Sequence, residues 1–249
     1  MLWTLAALNL TLAVAVLIWV REPPGARRRP ERGATGELLA DRRLLRIALA
    51  SGLLIVPQFV AIGLLVELLH VHRGLGPALA AALLGVAQLL GGAGRLATGL
   101  WSDAVGSRLG PLRTIAVVVA VGFTLSAALD RAPVWLLCAV LLPTAGVAIC
   151  WTGLPNTAVG EMAPPGLGGM AFGINNTAIY LVAAATPSAA GWVAAEAGWP
   201  AALLLAAVAA VASRLVLQGV DEGRRDPGTS PAPAASSSSS AAPSASSAS

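Results

Sequence analysis

The chain has 249 residues, of which 56% are hydrophobic and 11% are charged, and its mean hydropathy is +0.76. Soluble domains carry about 25% charged residues, so this composition excludes a water-soluble fold and indicates a protein embedded in lipid. The net charge of +4 does not indicate nucleic-acid binding, because eight of the sixteen basic residues lie between Arg21 and Arg46, in one stretch beside apolar runs.

Long apolar runs predict about seven transmembrane helices, since a hydrocarbon core of about 30 Å requires roughly 20 apolar residues per helix. In chain order the predicted spans are 1–20, 44–69, 77–100, 112–129, 133–155, 169–192 and 199–220. The first span is followed by a basic linker over 21–43, and the other six form one unit over 44–220. Residues 221–249 become almost entirely Ser, Ala and Pro, which predicts a disordered tail.

The placement of arginine predicts the orientation of these spans. Twelve arginines fall in the linker, after the third span or in the tail, whereas only Arg73 and Arg131 fall on the opposite side. The positive-inside rule therefore predicts an outside N-terminus, a cytoplasmic linker and a cytoplasmic C-terminus, in a bacterial-type plasma membrane. Tryptophan favours the membrane interface, and all seven tryptophans fall at or near predicted span ends, with Trp151 about one turn inside.

A short charged turn follows the third span, with the sequence Gly99-Leu100-Trp101-Ser102-Asp103-Ala104-Val105-Gly106-Ser107-Arg108. It resembles the signature loop of the major facilitator superfamily, which lies between helices 2 and 3 and recurs more weakly between helices 8 and 9. The resemblance implies a cytoplasmic gate loop formed by Gly99, Asp103, Gly106 and Arg108. Ala104 and Ser107 stand where that family usually has basic residues, which implies a weakened gate. Alternatively, this is an ordinary turn in which Asp103 caps the next helix.

A second loop, Gly160-Glu161-Met162-Ala163-Pro164-Pro165, resembles the loop between helices 10 and 11 of the same family, where an acidic residue precedes proline. Together the two loops imply that the seven spans correspond to helices 6 to 12. The expected fold is therefore an all-α membrane protein in which six helices form the C-terminal bundle of two inverted three-helix repeats. Helices 1 to 5 would then come from a separate chain, or the chain is truncated.

Polar side chains deep in the spans are candidates for a solute cavity, because such groups are costly in hydrocarbon. In the third span a helical spacing of three and four residues places Gly85, Gln88, Gly92, Arg95 and Gly99 on one face. This face predicts either a cavity lining or a packing seam of small residues. The full set of candidate cavity residues is Gln58, Gln88, Thr144, Asn175, Asn176 and Tyr180.

Two further charges are predicted to lie at the membrane interface. Arg95 is close enough to the cytoplasmic end of its span for its head group to reach the interface, although a binding role is the alternative. Glu67, at the outer end of the second span, is expected to be exposed there, with proton relay as the alternative.

The function that these features favour is transport of a small solute by alternating access, as part of a secondary transporter in a lipid bilayer. The alternatives are a non-transporting fragment, or a half-transporter that needs a separate N-terminal half or a second copy. A seven-helix receptor has no supporting motif, and a retinal protein is excluded because the chain lacks lysine. No enzymatic chemistry, cofactor or metal site is expected, since the only histidines, His70 and His72, fall in a predicted outer loop.

Overall fold

A computed structural model describes residues 2–19, 34–164 and 166–220, and all regular secondary structure in these ranges is helical. The helices are α1 (Leu2–Trp19), α2 (Ala34–Ala40), α3 (Arg42–Glu67), α4 (Pro77–Val105), α5 (Leu109–Ala128), α6 (Val134–Cys150), α7 (Gly153–Met162), α8 (Gly168–Ala197) and α9 (Trp199–Leu217). A π-helical turn, Leu68–His72, continues α3. The predicted all-α membrane class is confirmed.

Six helical segments of the described chain are long and apolar enough to cross a membrane, and they coincide with the last six predicted spans. The first predicted span forms α1, whose apolar part, Ala6–Trp19, is shorter than a typical span of about 20 residues. That α1 crosses the membrane, and that the other six helices form inverted repeats, remain predictions. Most of the predicted linker, Pro165 and the predicted tail lie outside the described residues.

Local sequence explains where the spans begin and end. Asp41 is the N-cap of α3, and its Oδ1 accepts a hydrogen bond of 2.8 Å from the backbone N–H of Arg43. Pro77 occupies the first turn of α4, where a backbone N–H would have no partner within the helix, so its absence in proline costs nothing. Gly106 ends α4 in the left-handed conformation at φ +65°, which a residue with a Cβ would adopt only with strain.

The six spans are buried to very different degrees. The core lies between α3, α5, α6 and α9, since α3 packs against α8 and α9, and α5 packs against α6 and α9. In the apolar stretch of α4 only 17% of the residues are buried, and in that of α8 only 22%, compared with 44 to 61% in the other four spans. α4 contacts mainly α6, and α8 contacts mainly α3, so both present wide faces that the described residues leave uncovered.

Arginine side chains tie the helix ends together at the end of the bundle that is predicted to be cytoplasmic. Arg46, at the start of α3, donates from Nη1 to the carbonyl of Gly219 at 2.8 Å. Arg113, in the first turns of α5, donates from Nη2 to the carbonyl of Leu217 at 2.8 Å. These bonds satisfy carbonyls that the C-terminus of α9 leaves without intrahelical partners.

The opposite end of the bundle has its own polar contacts. His72 Nε2 lies 2.9 Å from Asp130 Oδ1, which joins the end of α3 to the loop between α5 and α6. Arg73 donates to the carbonyls of Asp130 and Ala132 in the same loop. Each end of the bundle is therefore held by side-chain bonds between helices that are distant in sequence.

Candidate transport site

Three of the predicted gate residues, Asp103, Arg108 and Glu161, meet in one polar cluster at the arginine-rich end of the bundle. Arg108, the residue before α5, donates from Nη1 to Asp103 Oδ1 and to Ser102 Oγ, the latter at 2.9 Å. Its Nη2 lies 3.2 Å from Oε1 of Glu161, which is at the end of α7. The guanidinium thus connects the α4–α5 loop with the end of α7. The participation of Ser102 was not predicted from the sequence.

The electrostatics of this cluster keep Arg108 charged. The hydrogen bonds that Arg108 donates to the Asp103 carboxylate, and next to the Glu161 carboxylate, raise the pKa of the guanidinium above its ordinary value. The cluster is accessible to water, since the side chains of Arg108, Asp103 and Glu161 are 24%, 65% and 32% exposed. Ion pairs at such exposure are worth about 0 to 1 kcal/mol each, so these bonds are weak enough to be exchanged for others.

Helix α4 packs on α6 through a face that differs from the predicted one. Ala87, Gly91 and Thr98 are buried, and they face the α6 residues from Gly146 to Cys150 together with Gly94. A Cβ placed on Gly91 would lie 2.5 Å from Cγ2 of Ile149, and one on Gly94 would lie 2.8 Å from Cβ of Cys150. Glycine is required at both positions for this close approach.

The face of α4 that carries Gln88 and Arg95 is uncovered. Gln88 is exposed, and a Cβ added to Gly85, Gly92 or Gly99 would meet no atom of the described chain within 4 Å. A third face of α4 is also exposed but apolar, with the leucines Leu89, Leu96 and Leu100 between 72 and 76% exposed. The helix therefore has a packed face, a glycine-rich polar face and a leucine face. We call the second one the open polar face, defined by Gly85, Gln88, Gly92, Arg95 and Gly99.

The span opposite α4 is interrupted, and α4 supplies the hydrogen bonds that compensate. Helix α6 ends at Cys150 and α7 begins at Gly153, so the carbonyls at the end of α6 lack helical partners. Arg95 Nε donates to the Ile149 carbonyl at 3.2 Å, and Thr98 Oγ1 donates to the Cys150 carbonyl at 3.2 Å. Arg95, predicted at the interface, has its head group held level with this interruption.

Helix α8 also presents polar residues on an uncovered face. Added Cβ atoms at Gly169 and Gly173 would meet nothing within 4 Å, and Tyr180 is 68% exposed, with the partly buried Asn176 between them. Asn175 points elsewhere: it is fully buried, and its Nδ2 donates to Oδ1 of Asn156 at 2.9 Å. That bond joins α7 to α8.

The remaining candidates lie in three different environments. Thr144 is buried, donates to the Val140 carbonyl at 2.7 Å and packs directly on Gly122 of α5. Gln58, beside Pro57 within α3, is 8% exposed, and its Oε1 has no donor among the described residues. Glu67 is exposed at the end of α3. The structure thus places Gln88, Asn176 and Tyr180 on uncovered faces, and Thr144 and Asn175 in packed ones.

The described residues form a bundle of six long apolar helices, with an ion-pair cluster at one end and polar faces left uncovered. The sequence profile of the Major Facilitator Superfamily matches residues 1–187. Two relatives in Mycobacterium tuberculosis, both described as uncharacterized MFS-type transporters, come from strains H37Rv and CDC 1551. Each is 37% identical over 227 residues, which cover 86% of this chain and 50% of the relative.

The chain therefore belongs to the major facilitator superfamily, whose members carry small-molecule solutes across lipid bilayers. It spans about half the length of the curated relatives that it matches. The family and the transporter class that the two loops implied are confirmed.

Proposed function

We propose that this chain forms one bundle of a secondary transporter that works by alternating access, and that the uncovered polar faces of α4 and α8 line the solute pathway. The observation that carries the proposal is the open polar face of α4, which exposes Gln88 and Arg95 among glycines while the neighbouring face of the helix packs tightly on α6. Polar groups within a span are costly in lipid, so a face of this kind favours a water-filled cavity or a second bundle.

The contacts of Arg108 support a role for this cluster in gating at the cytoplasmic end. One guanidinium pairs with Asp103 in the last turn of α4 and with Glu161 at the end of α7, so separating these two helix ends breaks one weak ion pair and leaves the other intact. A contact of this strength suits a transporter, because each state of the cycle must be reversible. The proposed orientation, with this end and the C-terminus in the cytoplasm, is supported by the concentration of arginines there.

Alternating access requires two bundles that move about a central site. The second bundle is proposed to be either a separate N-terminal half or a second copy of this chain. The uncovered faces of α4 and α8 are the surfaces available for it. The competing hypothesis is that the chain is a fragment that does not transport. A measurement of solute flux distinguishes this hypothesis from the proposed transporter.

The test is uptake into proteoliposomes that contain the chain, offered a defined mixture of sugars, amino acids, organic acids and amines and analysed by mass spectrometry. We expect saturable uptake of one chemical group of solutes, which Gln88→Leu reduces and Leu89→Ala preserves. The matched control lies one residue away on the leucine face of the same helix. No uptake above that of empty liposomes, with the chain alone or supplemented with an N-terminal half from a relative, would contradict the proposal.

A further inference from the structure

Arg95 is the most deeply placed charged residue of the six spans. Every other Asp, Glu, Arg or His in these segments lies within about five residues of a segment end, whereas Arg95 is about ten residues from the end of α4, or roughly 15 Å at the helical rise. It lies about 13 residues before Arg108, and Ile149 lies about 12 residues before Glu161. The bonded pair Arg95 and Ile149 is therefore roughly 18 Å below the Arg108–Glu161 ion pair, more than half of a hydrocarbon core of about 30 Å.

The interruption between α6 and α7 fixes the direction of this guanidinium. The bond from Arg95 Nε to the Ile149 carbonyl uses the inner nitrogen, and Thr98 satisfies the neighbouring carbonyl of Cys150. Within the described residues, neither Nη1 nor Nη2 of Arg95 has a hydrogen-bond partner, so the outer edge of the guanidinium is free. That edge carries the donors that pair with carboxylate and phosphate oxygens.

The charge of Arg95 is not neutralised by this chain as far as the structure describes it. Asp103, on the same helix, and Glu161, at the end of α7, are both paired with Arg108 at the bundle end. Helix α7 begins at Gly153, four residues beyond Ile149, and its positive N-terminal end lies beside the negative C-terminal end of α6, whose carbonyls at Ile149 and Cys150 are bonded by Arg95 and Thr98. The buried indole N–H of Trp151, within the interruption, is a further donor without an acceptor. The unpaired nitrogens of Arg95 and Trp151 are both donors, which suits an anion.

Space for a ligand exists beside the guanidinium. Gly92 and Gly99 lie about one turn before and after Arg95 on the open polar face, and neither position has a side chain or a neighbour within 4 Å of an added Cβ. The surface around Arg95 is therefore recessed on both sides along the helix.

We infer that the solute is an anion, whose carboxylate or phosphate group pairs with the outer edge of Arg95 at the level of the α6–α7 interruption. This inference rests on the proposed function, since it assigns the chemical class of the solute to the same open polar face. The competing role for a free guanidinium at this depth is an ion pair with a carboxylate of the second bundle.

The test uses the full chain in liposomes. The native cysteines are removed by Cys138→Ala and Cys150→Ala, and the single new cysteine of Gly92→Cys reports access to the surface beside Arg95. The rate of labelling by a water-soluble maleimide is measured alone and with inorganic phosphate, succinate, glucose, or chloride at matched ionic strength. We expect phosphate or succinate to slow labelling by about tenfold when the site is mostly occupied, and glucose and chloride to leave the rate unchanged. Arg95→Gln removes this protection, Arg95→Lys weakens it, and Arg131→Gln, which removes the same charge at the opposite end, preserves it.

Other outcomes overturn the inference in distinguishable ways. Equal protection by chloride means charge screening alone, and protection that persists in Arg95→Gln places the anion elsewhere. Protection by glucose indicates a neutral solute, and the absence of protection by any solute favours the ion pair with the second bundle. If Gly92→Cys resists labelling before any anion is added, the face is in lipid and the proposed function fails first. Thermal unfolding of each variant confirms that the fold is intact.

Discussion

Two faces of α4 use the same residue type, glycine, in two different ways. On the packed face, Gly91 and Gly94 admit Ile149 and Cys150 of α6 so closely that no Cβ would fit. On the open polar face, Gly92 and Gly99 meet nothing, and they leave room around Arg95. The comparison teaches that a run of glycines at helical spacing does not reveal its role, because the role depends on the neighbour that each glycine meets.

The largest effect is expected from filling the packed face. Gly91→Leu forces a side chain into Ile149, and overpacking of this kind costs about 1 to 3 kcal/mol. We expect a clear fall in the melting temperature of the purified chain in detergent. The matched variant Gly92→Leu places the same side chain on the open polar face and should leave the melting temperature unchanged or slightly raised, because leucine is the better helix former. Equal losses in both variants would remove the distinction between the faces.

A smaller effect is expected at the bond between α4 and the α6–α7 interruption. Thr98→Val removes the hydroxyl that donates to the Cys150 carbonyl while preserving shape, and a net loss of about 0.5 to 1.5 kcal/mol follows. Amide hydrogen exchange over residues 150–154 should become faster. Thr98→Ser keeps the hydroxyl and should restore slow exchange. If both variants exchange alike, the bond does not stabilise the interruption.

The smallest effect on stability is expected at the exposed gate cluster. Glu161→Gln removes one ion-pair partner of Arg108, at a cost of about 0.2 to 1 kcal/mol that salt reduces further. We expect almost no change in melting temperature. The degree of opening at this end should change, measured as the distribution of distances between one spin label near Arg108 and a second near Glu161. Glu196→Gln, at the other end of α8, is the matched control. A large loss of stability in Glu161→Gln would mean that the cluster is structural rather than a gate.

The six long spans were predictable from sequence because apolar length is set directly by membrane thickness. The two loop resemblances predicted that Asp103, Arg108 and Glu161 belong to the same cytoplasmic gate, but they did not predict that the guanidinium of Arg108 pairs with both carboxylates. The prediction for Trp151 was wrong. Its position near a predicted span end suggested the membrane interface, but its side chain is fully buried beside the α6–α7 interruption. Pro155, only four residues further on, gave a hint of that break.

The packing partners were not predictable, for a physical reason. Periodicity gives the face of a helix on which a residue lies but not the helix that faces it. Thr144 and Asn175 have the polarity of cavity residues, yet Thr144 lies against Gly122 and Asn175 bonds to Asn156. Asn156 itself carried no signal, because its spacing from Asn175 becomes meaningful only once α7 and α8 turn back on each other.

The most direct test of the central claim, that the open polar face lines an aqueous pathway, is a comparison of single cysteines at Gln88 and Leu89 in membrane vesicles. The two positions are adjacent in sequence and lie at nearly the same depth, about 100° apart around α4, and both side chains are exposed among the described residues. With Cys138 and Cys150 replaced by alanine, we predict rapid reaction of Gln88→Cys with a water-soluble maleimide and slow reaction of Leu89→Cys. Equal reaction rates at both positions, or faster reaction of Leu89→Cys, would contradict the account.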